Sequence, residues 1–498
     1  MRPADIRDQV VVEELDLAAD GAMAVVIRRI IRGGRYLGHV LAIPLGGGRA
    51  IPRPRPLTEG VVRDTRPRIS PDGRAVAFVR SDPRDDDALA ALFTVSIDGG
   101  TPRRLRSGAH GGVGEIAWSP DGSRLAFTAE VDPPRFIVGP IARVGTTSTD
   151  SPRARRITRT DWRWDEEGHR DRWSHLFVVE ARPGARPRQV TSGDWGVSDI
   201  AWHPDGRTVA FSADRGPEPD LHPRTTIWAV DVDSGAATGP MSQPREILAA
   251  GGWANHPSYS PDARWVAAIG VAEPEPLDDL SPTILVAPAD GSRGQPVDVL
   301  PGLDRPVGNW VDSDLTGWMV SGRHGPWWAD DGTIVATISD RGRSHPYAVV
   351  IDETTGSPVR RSRLTDGDVV THTIAVGGSV LAYLATDGVR AMELHTLGLP
   401  GGMPRRRTRI GSAWQGRFAP IEMRLVQAPG AGGLIDTWIA SPADASEAQL
   451  PTIVDVHGGP LGAWAPSPHV EVILLSSAGY RVVLPNIRGS ATYGRDWI

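Results

Sequence analysis

Short apolar runs alternate with turn-forming residues along most of the chain, and the alternation repeats. RISPDGRAVAFVRSD (68–82), EIAWSPDGSRLAFTAE (115–130) and DIAWHPDGRTVAFSAD (199–214) share one order: an apolar strand, a Pro-Asp-Gly turn, then a second strand. HPSYSPDARWVAAIG (256–270) and GPWWADDGTIVATISD (325–340) continue the series. LDLAADGAMAVVIRR near Asp20 and HTIAVGGSVLAYLATD near Gly377 are weaker copies, which makes seven. Proline presets φ for the turn, Asp bonds its own backbone, and Gly supplies a positive φ. Alternating small and large apolar residues after the turn predict a strand buried in a stacked sheet.

Further strands follow most of these hairpins, in ALFTVSIDGGTPRRLRS (91–107), HLFVVEARPGARPRQVTSGD (175–194), TIWAVDVDSG (226–235) and TILVAPADGS (283–292). Four antiparallel strands recurring about every fifty residues are the signature of a β-propeller blade. A seven-bladed, all-β propeller is therefore expected over residues 1–414. The spacing stretches where Val131 to Trp173 is inserted, a segment rich in Pro, Arg and charge that predicts a long loop or hairpin. The Ser-Pro-Asp-Gly residues are read as turn chemistry alone, and Trp118 and Trp202, at equivalent repeat positions, as blade packing.

The pattern changes over residues 415–498. IEMRLVQAPGAGGLIDTWIASP (421–442) predicts a hairpin with a Gly-rich turn, and Thr452 to Val456 a short strand. After HGGP (457–460), HVEVILLSSAGY (469–480) has helical spacing and stops at Gly479. RVVLPNIRGSATYG (481–494) then gives a further apolar strand and a Gly/Ser loop. Strand, loop, helix, strand is the opening of a parallel α/β sheet.

Composition narrows the function classes. The 498 residues, 40% hydrophobic and 23% charged, exceed what one core organises. Cysteine and lysine are absent, so every basic residue is Arg and neither disulfides nor thiolate chemistry arise. A net charge of -6 without a basic block argues against a nucleic-acid partner. Neither a membrane-spanning run nor a signal peptide is legible, so no membrane partner and a cytoplasmic location are expected. The histidines show no HExxH or comparable spacing, and no metal or cofactor is expected.

HGGP at His457 to Pro460, the apolar helix after it, and NIRGSATYG at Asn486 to Gly494 together resemble the front of the catalytic domain in the prolyl oligopeptidase family. The acylaminoacyl-peptidase and dipeptidyl-peptidase branches are the most similar. The order also resembles that family: a propeller of SPDG-type repeats, then an α/β-hydrolase domain, here its N-terminal part. The resemblance implies a serine-type peptidase that hydrolyses short peptides through an acyl-enzyme, with the propeller gating access. In an α/β-hydrolase one oxyanion donor comes from the loop after an early strand. That loop is assigned to His457, Gly458 and Gly459, with the N–H of Gly458 or Gly459 as donor and His457 shaping the loop. A tight turn is the plainer account of HGGP, and its place after a strand favours the oxyanion reading. Arg488, Ser490 and Tyr493 are implied to border and buttress the site, although a glycine-eased turn with a solvated arginine explains them as well.

The nucleophile is another matter. No serine has glycine both two before and two after it, as the GxSxG elbow demands. By resemblance, Ser, Asp and His would all follow the RGSATYG loop, beyond Ile498. The sequence is expected to be a truncated form, inactive as given and with an uncovered, aggregation-prone sheet edge. In the insert, Glu166 and Glu167 resemble the carboxylate pair with which dipeptidyl peptidases hold a substrate amine. A solvated acidic loop offset by Arg170 and Arg172 is the more ordinary reading. A non-catalytic TolB-like propeller scaffold, or an esterase or acyl hydrolase on the same fold, stands as the alternative function.

Overall fold

The structure, a computed structural model, describes residues 1–498 except 47, 49, 86–87, 109–110, 132–156, 158, 161, 165–167, 170–171, 234–242, 274–280, 293, 312, 314–322, 389, 419, 431, 446–448, 460 and 468. Glu166, Glu167, Pro460 and most of the insert predicted from Val131 to Trp173 lie outside the described residues. The chain divides into two compact units. One comprises Met1–Pro56, Glu275–Ile284 and Asp298–Ile498, the other Leu57–Pro274 and Leu285–Val297.

In the second unit the repeat becomes four-stranded antiparallel sheets. Val113–Trp118, Arg124–Val131, Trp173–Glu180 and Arg188–Gln189 form one, and Ser198–Trp202, Thr208–Ala213, Thr226–Asp231 and Arg245–Leu248 the next. Arg63–Ile69, Ala75–Ser81, Ala91–Ser96 and Arg103–Arg104 pair in the same way. The strands flanking the insert run in unbroken register from Arg124↔Glu180 to Val131↔Trp173. The ladder of the two flanking strands is therefore intact on either side of the insert. Leu125, Phe127, Val209 and Phe211 are fully buried, as their alternation predicts. The repeat tryptophans also fix neighbouring sheets to one another. Trp118 Nε1–H donates to Arg68 O (3.0 Å), and Trp202 Nε1–H to Ala117 O (3.1 Å), each reaching back one repeat.

The turns behave as their residue types require. Ser119 Oγ accepts from the Arg124 amide (2.9 Å), and Asp121 accepts from the Ser123 amide (3.0 Å). Hydrogen bonds from Ser119 and Ser123 hold the Asp121 carboxyl down at about 2. The glycine position needs φ near +70°, found at Gly73, Gly122 and Gly206. In the SPDA copy, Ala263 occupies that position at φ +62°. A Cβ in the left-handed region costs about 1–2 kcal/mol. Ala263→Gly is therefore expected to raise stability by roughly 0.5–1 kcal/mol after the added freedom of the unfolded chain is offset. A melting temperature unchanged or lowered would contradict this.

The first unit holds three further antiparallel groups. They are Val10–Leu17, Met23–Arg32, Arg35–Pro44 and Arg55–Pro56; Trp327–Asp330, Thr333–Asp340, Arg343–Ile351 and Pro358–Arg363; and Val369–Gly377, Val380–Asp387, Glu393–Gly398 and Arg405–Arg406. Val12, Leu15 and Val26 from the start of the chain share a core with Ala375, Leu384 and Leu394. Position 414/415, where the sequence changes character, falls in the short helix Ser412–Gln415 within this unit.

The last segment is the α/β element. Ile421–Gly430 pairs with Gly433–Pro442 from Ile421↔Pro442 to Gly430↔Gly433, the hairpin its sequence predicts. Thr452–Val454 and Arg481–Pro485 pair in parallel, and helix Val470–Ser477 makes the crossover between them. The sheet order places Arg481–Pro485 between Gly433–Pro442 and Thr452–Val454. Trp438, Ala440, Val472, Val482 and Leu484 form its core. Thr452–Val454 is one edge strand and Ile421–Gly430 the other, with Val454 and Val456 62% and 52% exposed.

Candidate active site

The HGGP loop leaves the edge strand at the C-terminal end of the parallel pair, where open α/β sheets bind ligands. Asp455 N–H still donates to Val483 O (2.9 Å), the final ladder bond before the loop turns away. His457 is buried, while Gly458 and Gly459 are exposed. Among the described residues no acceptor takes the N–H of Gly458 or Gly459. Gly459 has φ +119°, and a Cβ there would sit 2.8 Å from the Leu461 amide nitrogen. Only glycine fits such a position without shifting the loop.

His457 anchors this loop to the second motif. Ser490 Oγ donates to Ile487 O (2.6 Å), so its lone pair accepts from His457 Nε2–H at 2.7 Å. His457 Nδ1 lies 3.1 Å from Gly458 O. The imidazole therefore ties His457 to Ser490 through Nε2, with Nδ1 against the backbone of Gly458. Ser490 is fully buried and engaged on both sides. The Ala491 amide adds bonds to Leu461 O and Gly462 O, both 3.2 Å.

Further along the loop, Asn486 closes a clamp. Its Oδ1 accepts from the Trp464 amide (2.7 Å), and its Nδ2 donates to Trp464 O (3.0 Å) and to Tyr493 Oη (2.9 Å). Tyr493 Oη in turn donates to Asp436 Oδ2 at 3.3 Å. Burial, with the Asp436 charge beside it, pushes the Tyr493 hydroxyl above its usual range, so it remains a proton donor at all working pH. Arg488 is exposed, with its guanidinium 5.2 Å from the Trp497 ring centroid and near Gly432. Of the residues singled out in the sequence, then, His457, Gly458, Gly459 and Ser490 come together directly. Tyr493 joins them through Asn486, and Arg488 faces solvent.

Sequence reading missed Asn486, Asp436 and Arg341. Asp436 is 1% exposed and accepts from Arg341 (2.7 and 2.8 Å) and Gln427 (3.1 Å). One signal was available: a lone carboxylate in the apolar strand LIDTWIA must find a partner inside the fold.

No family model matches the chain. Several curated relatives do, among them two that span most of the chain. The uncharacterized peptidase YuxL of Bacillus subtilis is 25% identical over 99% of this chain and 72% of its own length. Dipeptidyl-peptidase 5 of Porphyromonas gingivalis is 22% identical over 86% of this chain and 67% of its own. Among solved structures, the acylaminoacyl peptidase of Pyrococcus horikoshii superposes with a TM-score of 0.70 at 16% identity, over 98% of this chain and 66% of that one. The shared architecture is a propeller followed by an α/β-hydrolase domain. Peptidase relatives along nearly the whole chain, that architecture, and a glycine loop at the strand end support one reading: the chain is similar to peptidases of the prolyl oligopeptidase family.

Proposed function

We propose that residues 415–498 open the catalytic domain of a serine peptidase acting on short peptides, and that residues 1–414 are a seven-bladed propeller restricting access to it. The observation that carries this reading is the His457–Ser490 bond. It fixes the HGGP loop and leaves the amides of Gly458 and Gly459 exposed and outside the sheet ladder. When a serine attacks a peptide carbonyl, negative charge develops on the carbonyl oxygen as the C–O bond to the enzyme forms. A preorganised N–H aimed at that oxygen is worth roughly 3 kcal/mol in the transition state. Ser490 and Tyr493 act as buttresses behind the loop, and Arg488 lies at its border.

The chain as given is expected not to hydrolyse peptides, since none of its serines sits in a GxSxG elbow. Two experiments test the proposal. A fluorophosphonate probe should leave the 498-residue chain unlabelled. Reading the locus past codon 498 should reveal an in-frame GxSxG followed by Asp and His, and the longer product should be labelled and cleave dipeptidyl or acyl-aminoacyl anilides. A locus without the elbow would favour a scaffold. A longer product that cleaves simple esters and no peptide would favour an esterase.

A further inference from the structure

We propose that the hairpin tip Arg341–Gly342, carried on an antiparallel blade sheet, is the positioning device that holds the HGGP loop in its open geometry. The catalytic meaning of this inference rests on the function proposed above, whereas the mechanical claim does not. Strands Thr333–Asp340 and Arg343–Ile351 close at the pair Asp340↔Arg343, with φ +50° at Arg341 and +71° at Gly342. Two positive φ values in a two-residue loop define a type I′ turn, whose twist suits a tight hairpin. Such a tip usually points into water. This one is inserted against the α/β element.

Three sets of contacts seat it. The amides of Arg341 and Gly342 donate to Thr492 O and Thr492 Oγ1, both at 2.9 Å. Thr492 is fully buried at φ +75°, a conformation that a β-branched residue keeps only when its surroundings impose it. The Arg341 guanidinium, on a side chain 47% exposed, reaches inward to both oxygens of the buried Asp436 and lies 5.6 Å from the Tyr493 ring centroid. Gly342 packs so closely that a Cβ would stand 2.6 Å from Trp464 O and 3.3 Å from Asn486 Nδ2.

Each contact ends on a group that holds the loop. Asp436 O accepts from the Asn486 amide (2.9 Å) and its carboxylate accepts from Tyr493. Asn486 then grips both backbone groups of Trp464, whose ring lies 6.3 Å from that of His457. Removing the cation leaves the buried carboxylate with only the neutral donors Gln427 and Tyr493, and the tip that holds the strained Thr492 loses its ionic anchor. The loop from 457 to 464 then relaxes, although Arg341 touches none of the proposed reacting atoms.

Hydrogen–deuterium exchange of the 498-residue chain tests this without any hydrolysis, so its outcome is independent of the probe and locus experiments above. Arg341→Met should speed exchange of the Trp464 and Ala491 amides at least about tenfold while strand Arg124–Val131 keeps its protection. Arg341→Met combined with Asp436→Asn should return both amides to within about threefold of the parent, because a neutral amide needs no cation. If Arg341→Met does not fold, Arg341→Lys keeps the charge but not the two-oxygen contact and should give an intermediate rate. Unchanged exchange at Trp464 and Ala491, or an equal rise in every sheet without rescue by the double variant, would overturn the proposal.

Discussion

Asn486→Ala should cost about 3–5 kcal/mol, because it strands three buried groups at once. Asn486 is fully buried, and its side chain satisfies the Trp464 amide, the Trp464 carbonyl and Tyr493 Oη. Water cannot replace these bonds cheaply in a packed interior, and each unsatisfied group carries a penalty of about 1–3 kcal/mol. Asn486→Asp is the sharper variant, since it keeps the acceptor for Trp464 N–H and loses both donors. It also sets a second carboxylate near Asp436, across the Tyr493 hydroxyl. It should be at least as destabilising as the alanine at neutral pH and should partly recover as the new carboxyl protonates. Denaturant unfolding monitored separately for the two compact units would show the loss in the unit containing 298–498. A loss below about 1 kcal/mol would mean that the clamp contributes little.

The second large effect is acid sensitivity that begins near neutrality. His345 and His372 are both lowered to about 4, His345 by burial and then by Arg363 and Arg343, and His372 by burial and then by Arg29. His345 Nδ1 lies 2.8 Å from Thr365 Oγ1, and among the described residues nothing hydrogen-bonds His372 Nδ1. Both imidazoles are neutral in the folded protein, whereas the unfolded chain takes up protons near pH 6.5. Above that pH neither state binds the proton and the contribution is complete. As pH falls from about 6.5 towards 4, the unfolded state binds more protons, and stability drops. A depression of this size corresponds to on the order of 3 kcal/mol per histidine across the window. Melting temperature against pH should slope downward between pH 6.5 and 4.5, and His372→Gln should remove about one proton from that slope. A slope unchanged in His372→Gln would contradict the assignment.

Much of this was legible in the sequence, for physical reasons. The turn residues in SPDG each perform one local task, so hairpins announce themselves without knowledge of tertiary contacts. The switch from period two to helical spacing at 469–480 gave the crossover helix, found at Val470–Ser477. His457, Gly458, Gly459 and Ser490 stood out because glycine-rich loops after strands are rare and constrained. The buttress was harder to see. Arg341 and Asp436 are 95 positions apart, and DRGR reads as an ordinary exposed turn. Asn486 and Thr492 look like loop residues, and only the packing shows that one is a clamp and the other strained. Long-range polar pairs carry no periodicity, and a single sequence has no means of announcing them.

The loop amides are the proposed hydrogen-bond donors to the oxyanion, and one measurement reaches them most directly. In any longer product that carries the elbow and cleaves peptides, Gly458→Pro deletes one candidate amide proton, and Gly459→Ala forces a side chain into φ +119°. Loss of one oxyanion donor lowers kcat by about a hundredfold to a thousandfold. At least one of the two variants should show that fall with KM within about threefold of the parent and the melting temperature little changed. If both retain kcat within a factor of about three, the amides of Gly458 and Gly459 do not stabilise the oxyanion.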